Sequence, residues 1–173
     1  GKTAFLLNFV RRNMHEHQIY YFSSEMGPVE FRDRLSKFSL PLSDWRFTLK
    51  ERSSNFADVI KPDAVNVIDF LELHDDFYRV GGAIKDIFDR LHKGIAVIAI
   101  QKNAGSDYGL GGARSLEKAR LYLSMEPGKV KIVKAKNWAC SINPNRQECE
   151  FKIVNGCEFH TETDWHKEGA ARG

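Results

Sequence analysis

Cysteine is scarce in this chain: Cys140, Cys149 and Cys157 are the three in 173 residues, eight or nine positions apart and without a C-x-x-C pair. An odd, widely spaced set argues against a disulfide framework and for reduced thiols in a cytoplasmic-type compartment. His160 follows Cys157 closely, but structural zinc sites show tighter paired ligands. No apolar run approaches the roughly 20 residues of a membrane-spanning helix, so no membrane partner is expected, and nothing at the start resembles a secretory signal. Neither sign of charge dominates, with 26 Lys and Arg against 23 Asp and Glu and a formal net charge of +3. That balance excludes an acidic tail and a generally basic coat, so any cationic site has to be local. Long internal repeats are also missing.

What is present suits one globular domain: 42% hydrophobic and 28% charged residues, in a chain long enough to bury a core. From Thr3 to Val10, apolar side chains fall almost all round a helix before the polar Arg11 to Asn13, the pattern of a buried helix. "QIYYFSSEM" from Gln18 reads as a strand, and Pro28 suits the first turn of a following helix. Trp45 to Leu49 is a further short strand candidate. "DAVNVIDFLEL" from Asp63 is a nearly continuous apolar run, broken chiefly by Asn66 and Asp69, as in a strand buried on both faces. Phe77, Val80, Ile84, Ile87, Phe88 and Leu91 then repeat with helical spacing, and Gly94 marks a stop before "IAVIAI".

Strand alternating with helix predicts an α/β fold, a mainly parallel sheet flanked by helices, whose ligands gather at the carboxyl ends of the strands. Glu25, Asp69 and Gln101 all belong at that edge. Further along, "NAGSDYGLGGARS" is Gly-rich, and "RLYLSM", "KVKIVKAK" and "ECEFKIV" read as strands joined by tight turns, a strand-rich C-terminal end with antiparallel hairpins. The residues after Thr161 read as a loose polar tail.

The opening "GKT" is the end of the phosphate-loop signature G-x-x-x-x-G-K-[ST], in which backbone N–H groups cradle phosphates, the lysine reaches the β/γ-phosphates and the hydroxyl binds Mg²⁺. Gly1, Lys2 and Thr3 hold those positions. A tripeptide is weak alone, but this one sits directly before a buried helix, and Asp69 ends an apolar strand where a second magnesium-side carboxylate belongs. Asp69 also reads as a strand-end residue capping a turn. Glu25 is either a solvated loop acid or the group that takes a proton from water attacking the γ-phosphate. Gln101 is either a polar strand terminus or a neutral sensor that bonds the γ-phosphate and couples it to the Gly-rich loop.

Together these segments resemble the RecA-like ATPase core, especially the DnaB-like replicative helicases and their phage relatives. "GKTAFLLN" matches at the phosphate loop, "YYFSSEM" is similar to the helicase "FSLEM" segment, and "VNVIDFLEL" is similar to its Asp-bearing strand, the likeness running from Gly1 to about Asn155. The resemblance implies ATP and Mg²⁺ as cofactors, hydrolysis coupled to DNA, and a homo-oligomer, a hexameric ring or a filament. It also implies that the loop 103–115 faces single-stranded DNA. Lys102, Asn103 and Arg114 would contact the backbone, Tyr108 would stack on a base, and the loop's glycines would make it mobile. An ordinary surface connection is the other reading of this segment.

Strict alternation along "KVKIVKAK" puts Lys129 and Lys131 on one face, and Lys134 and Lys136 on the face of Val130 and Ile132. A solvated lysine cluster protecting a sheet edge is one interpretation. The resemblance supplies another, in which Lys134 and Lys136 reach a neighbouring subunit's nucleotide.

A chain that begins inside the phosphate-loop signature is expected to be a fragment: residues 1–160 a RecA-like core lacking its first strand and half of the loop, residues 161–173 a tail. With those loop donors absent, little ATP binding is expected of the fragment alone. The leading expectation is part of a DNA-dependent ATPase, a replicative helicase or RecA-like recombination protein. Its alternatives are a P-loop phosphotransferase acting on a small molecule and a non-catalytic interaction module.

Overall fold

The computed structural model describes residues 1–72 and 79–169. Its first half is a parallel sheet in the order β2-β1-β3-β4, formed by β1 (Ile19–Ser23), β2 (Thr48–Glu51), β3 (Val65–Asp69) and β4 (Ile95–Ile98). Three helices cover it: α1 (Lys2–Asn13), α2 (Pro28–Leu35) and α3 (Val80–Arg90). The expected strand–helix–strand alternation is therefore present. Phe77, assigned by spacing to the helix before β4, lies outside the described residues. Among those described, no helix is long and apolar enough to cross a membrane.

All five residues of β3 are buried, because helices pack on both of its faces. Val65 and Val67 join Leu6, Leu7 and Val10 of α1 and Phe31 of α2 in one core, while Ile68 on the other face meets Ile84 and Ile87 of α3. Alternation thus sends Asp69 toward α1 and Asn66 toward α3. Asn66 is fully buried, and its side chain stitches the chain around it. Its Oδ1 accepts from Lys61 N at 2.8 Å, and its Nδ2 faces the carbonyls of Lys61, Ala64 and Ile95 at 2.9, 3.1 and 3.2 Å. The polar interruption in the apolar run is a clamp for the turn entering β3 and for the start of β4. Gly94 completes that packing: an added Cβ would lie 2.3 Å from the Ala64 carbonyl oxygen, so it serves close backbone approach as well as following the end of α3.

α1 is apolar nearly all round because it has a second neighbour. The C-terminal half forms an antiparallel sheet, β5-β6-β7-β8, from β5 (Leu121–Glu126), β6 (Lys129–Ala135), β7 (Gln147–Val154) and β8 (Glu158–Thr161), with β9 (His166–Lys167) also paired to β7. Phe5 meets Phe159 edge-on at 5.4 Å, Asn8 donates to the Cys157 carbonyl at 2.7 Å, and Arg11 pairs with Glu158 at 3.1 Å. α1 is therefore held between the parallel sheet and the C-terminal strands. Val130, Cys149 and Phe151 form the small core of the second sheet.

Three local expectations shift. The strand expected at Trp45 to Leu49 runs from Thr48 to Glu51, because Thr48 is the first residue in register with β1, while Trp45 and Phe47 turn onto the core. Phe88, expected on the apolar face of α3, is 39% exposed, with the Lys118 ammonium 5.2 Å from its ring centre. Past Thr161 the chain still makes β9, and Glu168 pairs with Lys131.

Replacing Asn66 by leucine, at a fully buried strand position, removes the acceptor of the Lys61 N–H and the donor to the carbonyls of Lys61, Ala64 and Ile95. Asn66→Leu is expected to lose about 2–3 kcal/mol of stability, read as a lowered midpoint in urea unfolding.

Candidate nucleotide site at the strand ends

Parallel pairing aligns Ser23 with both Glu51 and Asp69, so the ends of β2, β1 and β3 form one edge, the position where open α/β sheets bind ligands. Asp69 is only 4% exposed. Its Oδ2 accepts a hydrogen bond from the Tyr21 hydroxyl at 2.6 Å. Ser24 secures the backbone there: its N–H donates to the Asp69 carbonyl at 3.0 Å, and its Oγ accepts from Phe70 N at 3.1 Å. Burial, reinforced by the charge of Asp69, pushes the Tyr21 phenol well above its ordinary pKa, so it remains a donor.

α1 begins at the same edge. The Lys2 ammonium lies 5.7 Å from the centre of the Phe70 ring, next in sequence to Asp69, and Gly1 is close enough to feel the Asp69 charge. No acidic residue of α1 itself occupies its first turn, so the partial positive charge of that helix end is directed at groups from other elements. Thr3 lies in that turn, half-buried. Glu25 is exposed and lines a cleft of about 350 Å³ with Ser23, Ser24, Gly27, Glu51 and Arg52. The two segments "GKT" and "VID" are thus brought together, with Glu25 at the rim of an adjoining cleft. Tyr21 and Ser24 escaped the sequence reading. Their signal is the register: Tyr21 pairs with Val67, which makes it a same-face diagonal neighbour of Asp69.

The Gly-rich segment lies elsewhere, between the end of β4 and the antiparallel sheet. Gln101 is exposed, and its carbonyl accepts from Leu110 N at 2.8 Å, closing the base of the loop. Lys102 is partly buried, its ammonium paired with Glu126 and donating to the Ser106 carbonyl at 2.9 Å. Glu126 also accepts from Gly105 N at 3.0 Å, and Asp107 pairs with Lys131 at 2.7 Å. Asn103, Tyr108 and Arg114 are exposed. The glycines serve fit here: Gly109 is buried, donates to the Tyr122 hydroxyl at 2.7 Å, and an added Cβ would come within 2.8 Å of Ile100 Cγ2. Gly105, Gly111 and Gly112 take positive φ values, which permit the tight turns. The expected mobile loop is a folded one, pinned by two lysine–carboxylate pairs.

Lys134 departs from the expected face. Register slips between Tyr122 and Leu123 of β5: Leu123 opposes Ile132, but Tyr122 opposes Lys134. The bulge inserts one residue and inverts the alternation, so Lys134 leaves the Val130 and Ile132 face and joins that of Lys131. Its ammonium donates to the Leu116 carbonyl, and burial, with the nearby charge of Lys136, holds its pKa below the ordinary lysine value. Lys136 is exposed.

The Glu126 carboxyl is held below its usual pKa foremost by its bond from Lys102, then by the Gly105 N–H. A depressed carboxylate pKa means the latch is complete above the ordinary glutamate value and is lost as pH falls through the lowered one. Glu126→Gln is expected to open the 102–109 loop at neutral pH, read as faster hydrogen exchange at Gly105 with the amides of β3 unchanged.

No protein-family profile and no curated protein sequence matches the chain. Among solved structures it is similar to a KaiC-like protein from the hyperthermophilic archaeon Pyrococcus horikoshii, with a TM-score of 0.61 and 16% identity over 94% of this chain and 84% of that one. At that identity the likeness is one of fold, and it does not separate a DnaB-like branch from a KaiC-like one. The parallel sheet with its covering helices, followed by the antiparallel C-terminal sheet, matches the α/β architecture expected from the sequence, and this fold is shared with the KaiC-like protein.

Proposed function

We propose that this chain carries the catalytic core of a Mg²⁺-dependent ATPase that acts on single-stranded DNA as a homo-oligomer, a hexameric ring or a filament. The observation that carries the reading is the meeting of α1 with the end of β3, which sets the Lys2 ammonium over the ring of Phe70, the residue that follows buried Asp69 in sequence. A cation and a helix N-terminus facing a carboxylate suit a phosphate chain with its metal. The oxygens of Thr3 and Asp69 fit Mg²⁺, which takes one or two protein oxygens together with nucleotide phosphates. When bound, the ion neutralises charge on those phosphates.

The remaining roles belong to the chain itself. Lys2 offsets negative charge on the β/γ-phosphates and, with the N–H groups of α1, orients them. Glu25, exposed at the cleft rim, is the base for the attacking water, and Gln101 at the base of the 102–109 loop links that reaction to the DNA-facing segment. Asn103, Tyr108 and Arg114 are the exposed groups for a single strand, supported by Lys102 when its pair with Glu126 opens. Of Lys134 near the end of β6 and Lys136 just beyond it, exposed Lys136 is the better suited to reach a neighbouring subunit, and Lys134 supports it from within.

The test is ATP hydrolysis by the protein expressed from its complete reading frame, with and without single-stranded DNA. Glu25→Gln is expected to keep nucleotide binding while turnover falls roughly 10²- to 10⁴-fold, and single-stranded DNA is expected to stimulate the wild type. Phosphate transfer to a small metabolite would favour a phosphotransferase instead, and a wild type that neither binds nor hydrolyses ATP would leave a non-catalytic module.

A further inference from the structure

We infer that Tyr21 is a positioning residue for Asp69, fixing that carboxylate in one orientation and leaving a single oxygen for the metal of a bound nucleotide. This rests on the nucleotide reading above. The contact is short and enclosed: the Tyr21 hydroxyl lies 2.6 Å from Asp69 Oδ2, and the two residues are 0% and 4% exposed.

The tyrosine cannot easily turn away. Its ring meets Phe31 of α2 edge-on at 5.0 Å and Phe47 at 5.9 Å, and Phe31 and Phe47 meet each other at 5.9 Å. The backbone around the carboxylate is equally constrained, since Ser24 bonds both the Asp69 carbonyl and the Phe70 N–H. With Oδ2 committed to Tyr21, rotation about the Asp69 side chain would break a buried hydrogen bond to a charged group, and such bonds are among the stronger ones.

One consequence distinguishes this role from simple packing. The bond engages Oδ2 inside the protein, which leaves Oδ1 as the oxygen that Asp69 would present to a metal. Partners of metal-binding carboxylates act in this way, and their loss typically lowers metal affinity by 10- to 100-fold.

Tyr21→Phe removes the hydroxyl and keeps the ring packing. The probe is a fluorescent ATP analogue titrated with Mg²⁺ on the protein expressed from its complete reading frame. The Mg²⁺ concentration at half-maximal binding is expected to rise roughly tenfold, while affinity for the analogue in EDTA stays that of the wild type. In an Asp69→Asn background the same substitution is expected to leave the Mg²⁺ midpoint where Asp69→Asn alone puts it. Unchanged thermal unfolding of Tyr21→Phe at matched EDTA affinity would exclude a folding defect, and a Tyr21→Leu variant, should it unfold, would not alter that comparison. Equal Mg²⁺ midpoints for wild type and Tyr21→Phe would overturn the positioning role alone. Absence of any Mg²⁺-dependent binding by the wild type would overturn the nucleotide reading and this inference with it.

Discussion

Burial of β3 on both faces is the constraint from which the rest of the molecule follows. A strand covered by α1 and α2 on one side and α3 on the other can carry a polar group only where a partner waits for it. Asn66 and Asp69 meet that demand on opposite faces. Asn66 turns toward α3 and spends its amide on the backbone of neighbouring segments, which makes it architectural. Asp69 turns toward α1 and spends one oxygen on Tyr21, at the edge where the helix bearing Lys2 begins. Two interruptions of one apolar run therefore have unrelated roles, decided by which face each occupies.

The electrostatics of the C-terminal half follow a similar economy. Net charge is nearly balanced, and the lysines that stand out in the sequence find partners inside the chain: Lys102 with Glu126, Lys131 with Asp107 and Glu168, Lys129 with Glu148. Exposed pairs of this kind contribute little stability singly. Those of Lys102 and Lys131 instead determine the path of the loop between the two sheets. A polyanion approaching that loop competes with carboxylates already in place, so its binding would be coupled to the loop's conformation.

Much of the architecture was legible because hydrophobic periodicity records burial directly. The all-round apolar character of α1, the continuous run of β3 and the helical spacing through Ile84 and Ile87 each report how many sides of an element are covered. The site was legible only in part. Lys2 and Asp69 could be paired through the motif, whereas Tyr21 looks like any strand aromatic until the β1–β3 register is known. The bulge in β6 was hidden for a related reason: alternation assumes one residue per rung, and nothing in "KVKIVKAK" announces the extra one. Glycine misled in the 102–112 segment, since the same residue serves freedom in one loop and close contact in another, and only the neighbours of Gly109 distinguish them.

α1 is a rod of twelve residues, about 18 Å long at 1.5 Å per residue, gripped along its length by the C-terminal strands. Phe5, Asn8 and Arg11 touch Phe159, Cys157 and Glu158 in turn, so the tip bearing Lys2 cannot shift relative to β8 without shearing aromatic, amide and ionic contacts at once. Force applied to the far sheet is thereby delivered to the N-terminal end of α1 with little slack. The second sheet is in this sense the mechanical seat of the helix.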